Sequence, residues 1–179
     1  MQGCSEIWTV LPPLLGVCVG FVLAEGTRCL HGRIRIRRLK KLLREELASI
    51  LRMMPHKQDG IERVRLGLER QLLLQGGSHH FLTSGYRAHF TEVYEYLTPV
   101  QRDCLHIIYE RISFLDEKMD VLHQEVIDAM SKEIMADPCR EYVKVTKDLL
   151  DSLAPTKRLI TSYLDGNPIN PFSDISKSS

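Results

Sequence analysis

The sequence predicts an all-α protein, in which a single transmembrane helix precedes a cytosolic helical bundle or hairpin containing one long helix. Three observations predict this class. An uncharged apolar segment lies near the N-terminus, amphipathic segments of helical period follow it, and no segment shows the alternation typical of a strand. With 44% apolar and 26% charged residues, the composition excludes collagen-like and wholly disordered chains.

The apolar segment runs from Ile7 to Ala24 and contains eighteen residues without a charge. As a helix it measures roughly 27 Å, close to the hydrocarbon thickness of a bilayer. A cleavable signal peptide is an alternative, but the basic residues follow the apolar segment instead of preceding it. A buried helix of a soluble core is a second alternative, and the long uncharged run opposes it. We therefore predict a single-pass membrane anchor over 1–27.

A block of basic residues follows the anchor, and it gives the N-terminal part of the chain a net charge opposite to that of the remainder. Residues 1–44 carry eight Lys or Arg and two Glu, a net charge of +6, whereas residues 45–179 have a net charge of −5. Cations that flank a span stay in the cytoplasm, so we expect the plasma (inner) membrane, with the N-terminus outside. The block should face anionic lipid headgroups and not nucleic acid, because it lacks interleaved aromatic residues. Its members are Arg28, Arg33, Arg35, Arg37, Arg38, Lys40, Lys41 and Arg44.

Within the predicted span, Gly16 and Gly20 form a GxxxG pair. Such a pair lets two membrane helices approach closely, so it marks a candidate face for dimerisation of the span. Glycine is also common in membrane helices, and a single pair of this spacing arises by chance. Both interpretations stay open.

Periodic apolar residues predict a helix over 28–54 that ends at Pro55, because the residue before a proline is pushed out of helical geometry. A second helix is expected over about 58–75, closed by Gly76-Gly77, and a short third one over 85–97. Together with the basic block, residues 28–55 form a polybasic, amphipathic juxtamembrane helix.

The clearest helix start is Thr98-Pro99-Val100-Gln101, which combines an N-cap, a proline at the first helical position and a capping-box glutamine. A helical pattern continues from there to about Met135 and carries a heptad seam typical of a coiled coil. The seam packs either against other helices of the same chain, which we favour, or against a second copy. It comprises Leu105, Ile108, Ile112, Leu115, Met119, Leu122 and Val126.

Asp137-Pro138 predicts the start of a last helix, which Pro155 kinks or divides before it ends near Gly166. We therefore place a cytosolic helical domain over 56–166. The tail over 167–179 is rich in helix breakers and has little to bury, so it is expected to be disordered.

Few residues suggest chemistry. His79 and His80 lie in a glycine-flanked loop, which is the one candidate for a polar functional site. The pairs Asp103/His106 and Asp120/His123 have helical metal-ligand spacing, but they fall on outward positions of a single helix. We find no phosphate loop, nucleophile elbow or zinc spacing, and we predict no catalytic, cofactor-binding or metal-binding residue.

These observations favour a non-enzymatic membrane protein whose cytosolic domain binds an unknown protein partner or a second copy. Two alternatives remain. One is a membrane-tethered ligand-binding or enzymatic domain that uses the His79/His80 loop, together with His89. The other is an effector that acts on the membrane through oligomerisation of its span.

Overall fold

Four helices make up most of the chain that the structure describes. The computed structural model describes residues 5–70, 79–131 and 138–172, and over 5–18, 129–131 and 138–139 it describes the backbone alone. No strand occurs in these three stretches, so the predicted all-α class is confirmed. The helices are α1 (Ser5–Glu69), α2 (Ser84–Tyr94), α3 (Pro99–Ser131) and α4 (Pro138–Leu164).

The chain divides into two compact units between Lys41 and Leu42. The first unit is formed by the early part of α1. The second unit combines the remainder of α1 with α2, α3 and α4. The boundary thus falls inside the basic block and not at Pro55, where the juxtamembrane helix was expected to end.

Pro55 does not end a helix. Because α1 is continuous from Ser5 to Glu69, the predicted helix end at Pro55 and the separate helix over 58–75 are both wrong. The apolar face continues across the proline, with Met54 before it and Ile61 after it, and both side chains are buried. A proline inside a helix costs about 3 kcal/mol, whereas burial of each large apolar side chain contributes about 1.5–3 kcal/mol. Tertiary packing of the whole face therefore outweighs the local preference.

The predicted start of α3 is confirmed in atomic detail. The backbone N–H of Gln101 donates to Thr98 Oγ1 at 3.3 Å, and the N–H of Thr98 donates to Gln101 Oε1 at 3.0 Å. This reciprocal pair is a capping box, which satisfies two backbone donors at the N-terminus of α3. The described part of α3 ends at Ser131, so the predicted end near Met135 lies outside the described residues.

The last helix begins at Pro138, as predicted. It continues through Pro155 to Leu164 as one helix, so the expected division at Pro155 is wrong. It ends in a Schellman motif, in which the N–H of Asn167 donates to the carbonyl of Ser162 and that of Gly166 donates to the carbonyl of Tyr163. Gly166 has φ = 83°, a left-handed conformation that favours glycine. Asp137 and the tail beyond residue 172 lie outside the described residues.

The core of the second unit lies where the later part of α1, α3 and α4 meet. Apolar side chains of the three helices form one buried cluster, and Val126 packs against it while staying partly exposed. The cluster comprises Ile61, Leu115, Met119, Leu122, Leu149 and Leu153.

Candidate functional site

The heptad seam of α3 is part of the interior of the second unit. Its first six residues, from Leu105 to Leu122, are each less than 5% exposed, and Val126 is partly buried. The partners of its later half come from the same chain, namely Ile61 of α1 and Leu149 and Leu153 of α4. The seam therefore packs within one chain, and any surface for a second copy must lie elsewhere.

The first unit exposes apolar side chains over residues 19–23, and they point to more than one side of its helix. Phe21, Val22 and Leu23 are 69%, 68% and 64% exposed, and Val19 is more than half exposed as well. Consecutive helix residues point about 100° apart, so these four side chains cannot share one face. A helix that is apolar all round is typical of a segment surrounded by apolar material.

Within the side chains that the structure describes, no helix holds a stretch long and apolar enough to cross a membrane. The side chains of residues 7–18, two thirds of the predicted span and including Gly16, lie outside this part. The predicted anchor is therefore not supported by the structure and stays a prediction. Around Gly20, an added Cβ would meet no atom within 4 Å in the described part of the chain.

Cations follow this apolar segment along the same helix. Arg33, Arg35, Arg37 and Arg38 are exposed, and so is Arg28, which lies 3.6 Å from the Glu25 carboxylate. The first unit thus places an exposed apolar surface directly before an exposed cationic one.

Arg44, the last member of the basic block, belongs to the second unit and has a partner there. Its Nη2 donates a hydrogen bond to the carbonyl oxygen of Leu164, the last residue of α4. The final carbonyls of a helix lack partners within the helix and carry partial negative charge, which a guanidinium stabilises. For this residue the structure thus shows a helix-capping contact that the sequence did not indicate.

A buried carboxylate on α1 holds the start of α2. Glu46 accepts hydrogen bonds from the backbone N–H groups of Gly85 (2.6 Å) and Tyr86 (3.0 Å) and from the hydroxyl of Tyr109 (2.7 Å). The N-cap residue of α2, Thr83, makes no side-chain capping bond, so Glu46 performs this function from another helix.

The aromatic rings beside Glu46 tie α2 to α3. Tyr86 stacks on Tyr109 with ring centroids 3.8 Å apart and planes 8° apart. Burial raises the pKa of Tyr86 to about 12. Burial and the hydrogen bond to Glu46 both raise the pKa of Tyr109, so both phenols stay neutral at physiological pH.

A buried ion pair between α1 and α3 holds the loop over 79–83. Lys57 Nζ lies 2.6 Å from Asp116 Oδ1, and the two side chains are only 4% and 10% exposed. Lys57 also donates to the carbonyl of His79, and the N–H of Phe81 donates to Asp116 Oδ2. Both charges therefore bind the loop backbone as well as each other, which is an arrangement expected of a structural ion pair.

The structure does not combine the loop histidines into one site. His79 lines a cleft of about 460 Å³ beside α1, whereas His80 lines a separate one of about 360 Å³ beside α3. His80 Nε2 lies 2.9 Å from the Asp120 carboxylate, and both side chains are more than half exposed. His89 lies on α2 with its Nδ1 3.6 Å from Glu92 Oε1. Among the side chains described, no three His, Cys, Asp or Glu residues are grouped as a metal site requires.

Cys104 is buried on α3 beside the carbonyl of Leu159. Burial raises the pKa of its thiol to about 11, so the thiolate, which is the reactive form, is scarce at neutral pH. A buried thiol with a raised pKa is typical of a packing residue.

Sequence reasoning missed Glu46, Lys57 and Asp116, although one signal was available. Glu46 lies between Leu43 and Ile50 at helical spacing, on the apolar face of α1. An acidic residue in such a position requires a partner, because an unpaired buried charge is costly.

Comparison with known proteins adds no relative: no family model, no curated protein and no solved structure matches this chain.

Proposed function

We propose that this protein is a single-pass, membrane-anchored scaffold, whose first unit holds it in the bilayer and whose second unit is a non-enzymatic protein-interaction domain. The observation that carries the proposal is the surface of the first unit, where exposed apolar side chains on more than one side of the helix directly precede exposed cations.

Transfer of these apolar side chains into lipid supplies the driving force. Burial of each large apolar side chain contributes about 1.5–3 kcal/mol, and Phe21, Val22 and Leu23 are all available for it. An interfacial helix would keep one polar face towards water, whereas the sequence from Ile7 to Ala24 offers none.

The exposed arginines give the orientation. Cations beside a span remain on the cytoplasmic side of the membrane. The second unit follows these cations in the chain, so it lies on the cytoplasmic side of the proposed inner or plasma membrane. Each cation near the surface adds about 1 kcal/mol of attraction to anionic headgroups. The first unit therefore combines an apolar and an electrostatic attachment to the same lipid surface.

The buried ionisable groups of the second unit favour a structural over a catalytic role. Glu46 binds the start of α2, and Lys57 and Asp116 bind the 79–83 loop. Groups held in this way by backbone partners stabilise a rigid helical domain, such as a scaffold needs.

Extraction of membranes with alkaline carbonate tests the anchor, because it releases peripheral proteins and retains those that span the bilayer. The intact chain should remain in the membrane pellet, and Phe21→Arg with Leu23→Arg should move it to the supernatant. The control is Leu82→Arg, which replaces an exposed apolar residue of the second unit and should leave the chain in the pellet. Release of the unmodified chain, or retention of the double variant, contradicts the proposal.

Charge reversal tests the orientation. With a reporter fused to the C-terminus, Arg35→Glu, Arg37→Glu and Arg38→Glu together should reduce its cytoplasmic signal, because the block then no longer retains this end. The matched control reverses three exposed lysines of α4: Lys144, Lys147 and Lys157. Unchanged cytoplasmic placement of the first variant would show that the basic block does not set the orientation.

A further inference from the structure

A second apolar stripe lies on the outside of α3, separate from the buried seam. Phe114 and Val121 are seven residues apart, which places them on one side of the helix, and they are 51% and 43% exposed. Between this side of α3 and the neighbouring side of α4 lies a depression of about 370 Å³, here called the α3–α4 groove. The residues that define it are Phe114, Lys118, Val121 and Glu125 of α3 and Val145 and Leu149 of α4.

The charges along the groove have both signs and a definite order. Lys118 Nζ lies 5.5 Å from the centroid of the Phe114 ring, and Glu125 and Asp148 also line the groove. A uniformly basic or uniformly acidic partner would be repelled by one of these groups. A partner that fits must present both signs in the reverse order.

A second copy of α3 presents that order when it runs antiparallel. Lys118 lies three residues before Val121 and Glu125 lies four residues after it. A two-fold axis near Val121 therefore places each Lys118 beside the Glu125 of the second copy, and the pair occurs twice. The two Val121 side chains meet near the axis, as in the self-complementary interface of a symmetric dimer.

We infer that the α3–α4 groove is the contact surface of a homodimer, in which the exposed stripe of α3 of each copy packs antiparallel against that of the other. Dimerisation removes the Val121 side chains from water, and the Lys118–Glu125 pairs fix the register. The inference rests on the proposed scaffolding role, since it names the partner, but it is independent of membrane attachment.

Charge exchange within the groove tests the inference. Two differently tagged copies of the intact chain are co-expressed, and the fraction that co-purifies is measured. Lys118→Glu in both copies turns two attractive pairs into two repulsive ones and should lower the association constant by about tenfold or more. Glu125→Lys should do the same, and the double variant Lys118→Glu/Glu125→Lys should restore association because the charges are again complementary.

Mixing the single variants gives the sharpest result. A Lys118→Glu copy carries two acidic groups and a Glu125→Lys copy carries two basic ones, so the mixed pair should associate although neither variant pairs with itself. The matched control, Lys144→Glu, reverses an exposed cation outside the groove and should have no effect.

The inference is overturned if the unmodified copies do not co-purify, if both single variants still associate, or if the double variant fails to restore association. Restoration also excludes misfolding as the cause of the loss. Carbonate extraction of the Lys118→Glu variant should match that of the unmodified chain, so a failed dimer and a failed anchor give different results.

Discussion

Replacement of Glu46 by alanine should destabilise the second unit, because one carboxylate satisfies three donors from two helices. Without it, the N–H groups of Gly85 and Tyr86 lose their partner at the start of α2. The hydroxyl of Tyr109, which is buried, loses its acceptor as well.

The magnitude follows from these three contacts. Each of the two part-buried N–H groups costs about 1 kcal/mol when it loses its cap, and the buried hydroxyl costs about 1–3 kcal/mol when left unsatisfied. The Glu46 carboxylate of the unmodified protein loses hydration on folding, and this cost offsets part of the three contributions. We therefore expect the free energy of unfolding to fall by about 3 kcal/mol. For a domain of this size the melting temperature then falls by about 10 °C.

Thermal and urea unfolding of the intact chain in a mild non-ionic detergent, followed by far-ultraviolet circular dichroism, measures this loss. Amide hydrogen exchange adds a local measurement, since protection should fall at Gly85 and Tyr86 more than in α3. Tyr109→Phe removes one of the three bonds and should cost about 1 kcal/mol. Glu117→Ala removes an exposed carboxylate of α3 and should change stability by less than about 0.5 kcal/mol.

A melting temperature of Glu46→Ala within about 2 °C of the unmodified protein would refute the reasoning. It would mean that water or another group caps α2 as well as the carboxylate does. If Glu46→Ala lowers the melting temperature only as much as Tyr109→Phe does, the hydrogen bond to the Tyr109 hydroxyl accounts for the whole effect. The bonds to the N–H groups of α2 would then contribute nothing to stability.

Three further outcomes follow from the same structure. Asp116→Ala leaves its buried lysine partner unpaired and should cost about 3–5 kcal/mol in urea unfolding, whereas Asp120→Ala breaks an exposed pair and should cost under about 1 kcal/mol. Gly85→Ala places a Cβ 2.7 Å from Glu46 Oε2 and should lower the free energy of unfolding by about 1 kcal/mol. If Gly85→Ala costs the same stability in a protein that already carries Glu46→Ala, the close approach to Glu46 is not the cause. Cys104, with its raised pKa of about 11, should stay unlabelled by a maleimide at pH 7 until denaturant is added, as peptide mass mapping will show.

Local patterns were sufficient wherever the determining contacts are a few residues apart. The capping box of Thr98 and Gln101 was predicted correctly because both partners lie within one helical turn. The heptad repeat likewise needs only local information, since a repeat of seven residues places apolar side chains on one face whatever covers that face, and six of these side chains are buried in the structure.

The sequence patterns failed where distant parts of the chain decide the outcome. Nothing near Pro55 shows that Met54 before it and Ile61 after it are both buried, yet burial of this face keeps α1 continuous through the proline. The loop histidines could be found in the sequence, but their separation into two clefts depends on how the 79–83 loop is bound to Asp116, more than thirty residues away.

The sequence by itself determined the all-α class, the starts of α3 and α4, the seam and the separation of a basic, apolar end from an acidic body. These properties depend on helical period, capping and composition, which are local. Only the tertiary structure decided that the seam closes within one chain, that Glu46 caps a helix thirty-eight residues away at Ser84, and that Lys57 pairs with Asp116. Such contacts form because polar groups that are buried on folding need hydrogen-bond partners. The groups that lie near them in the folded chain supply these bonds, and the sequence separation does not show which groups those are.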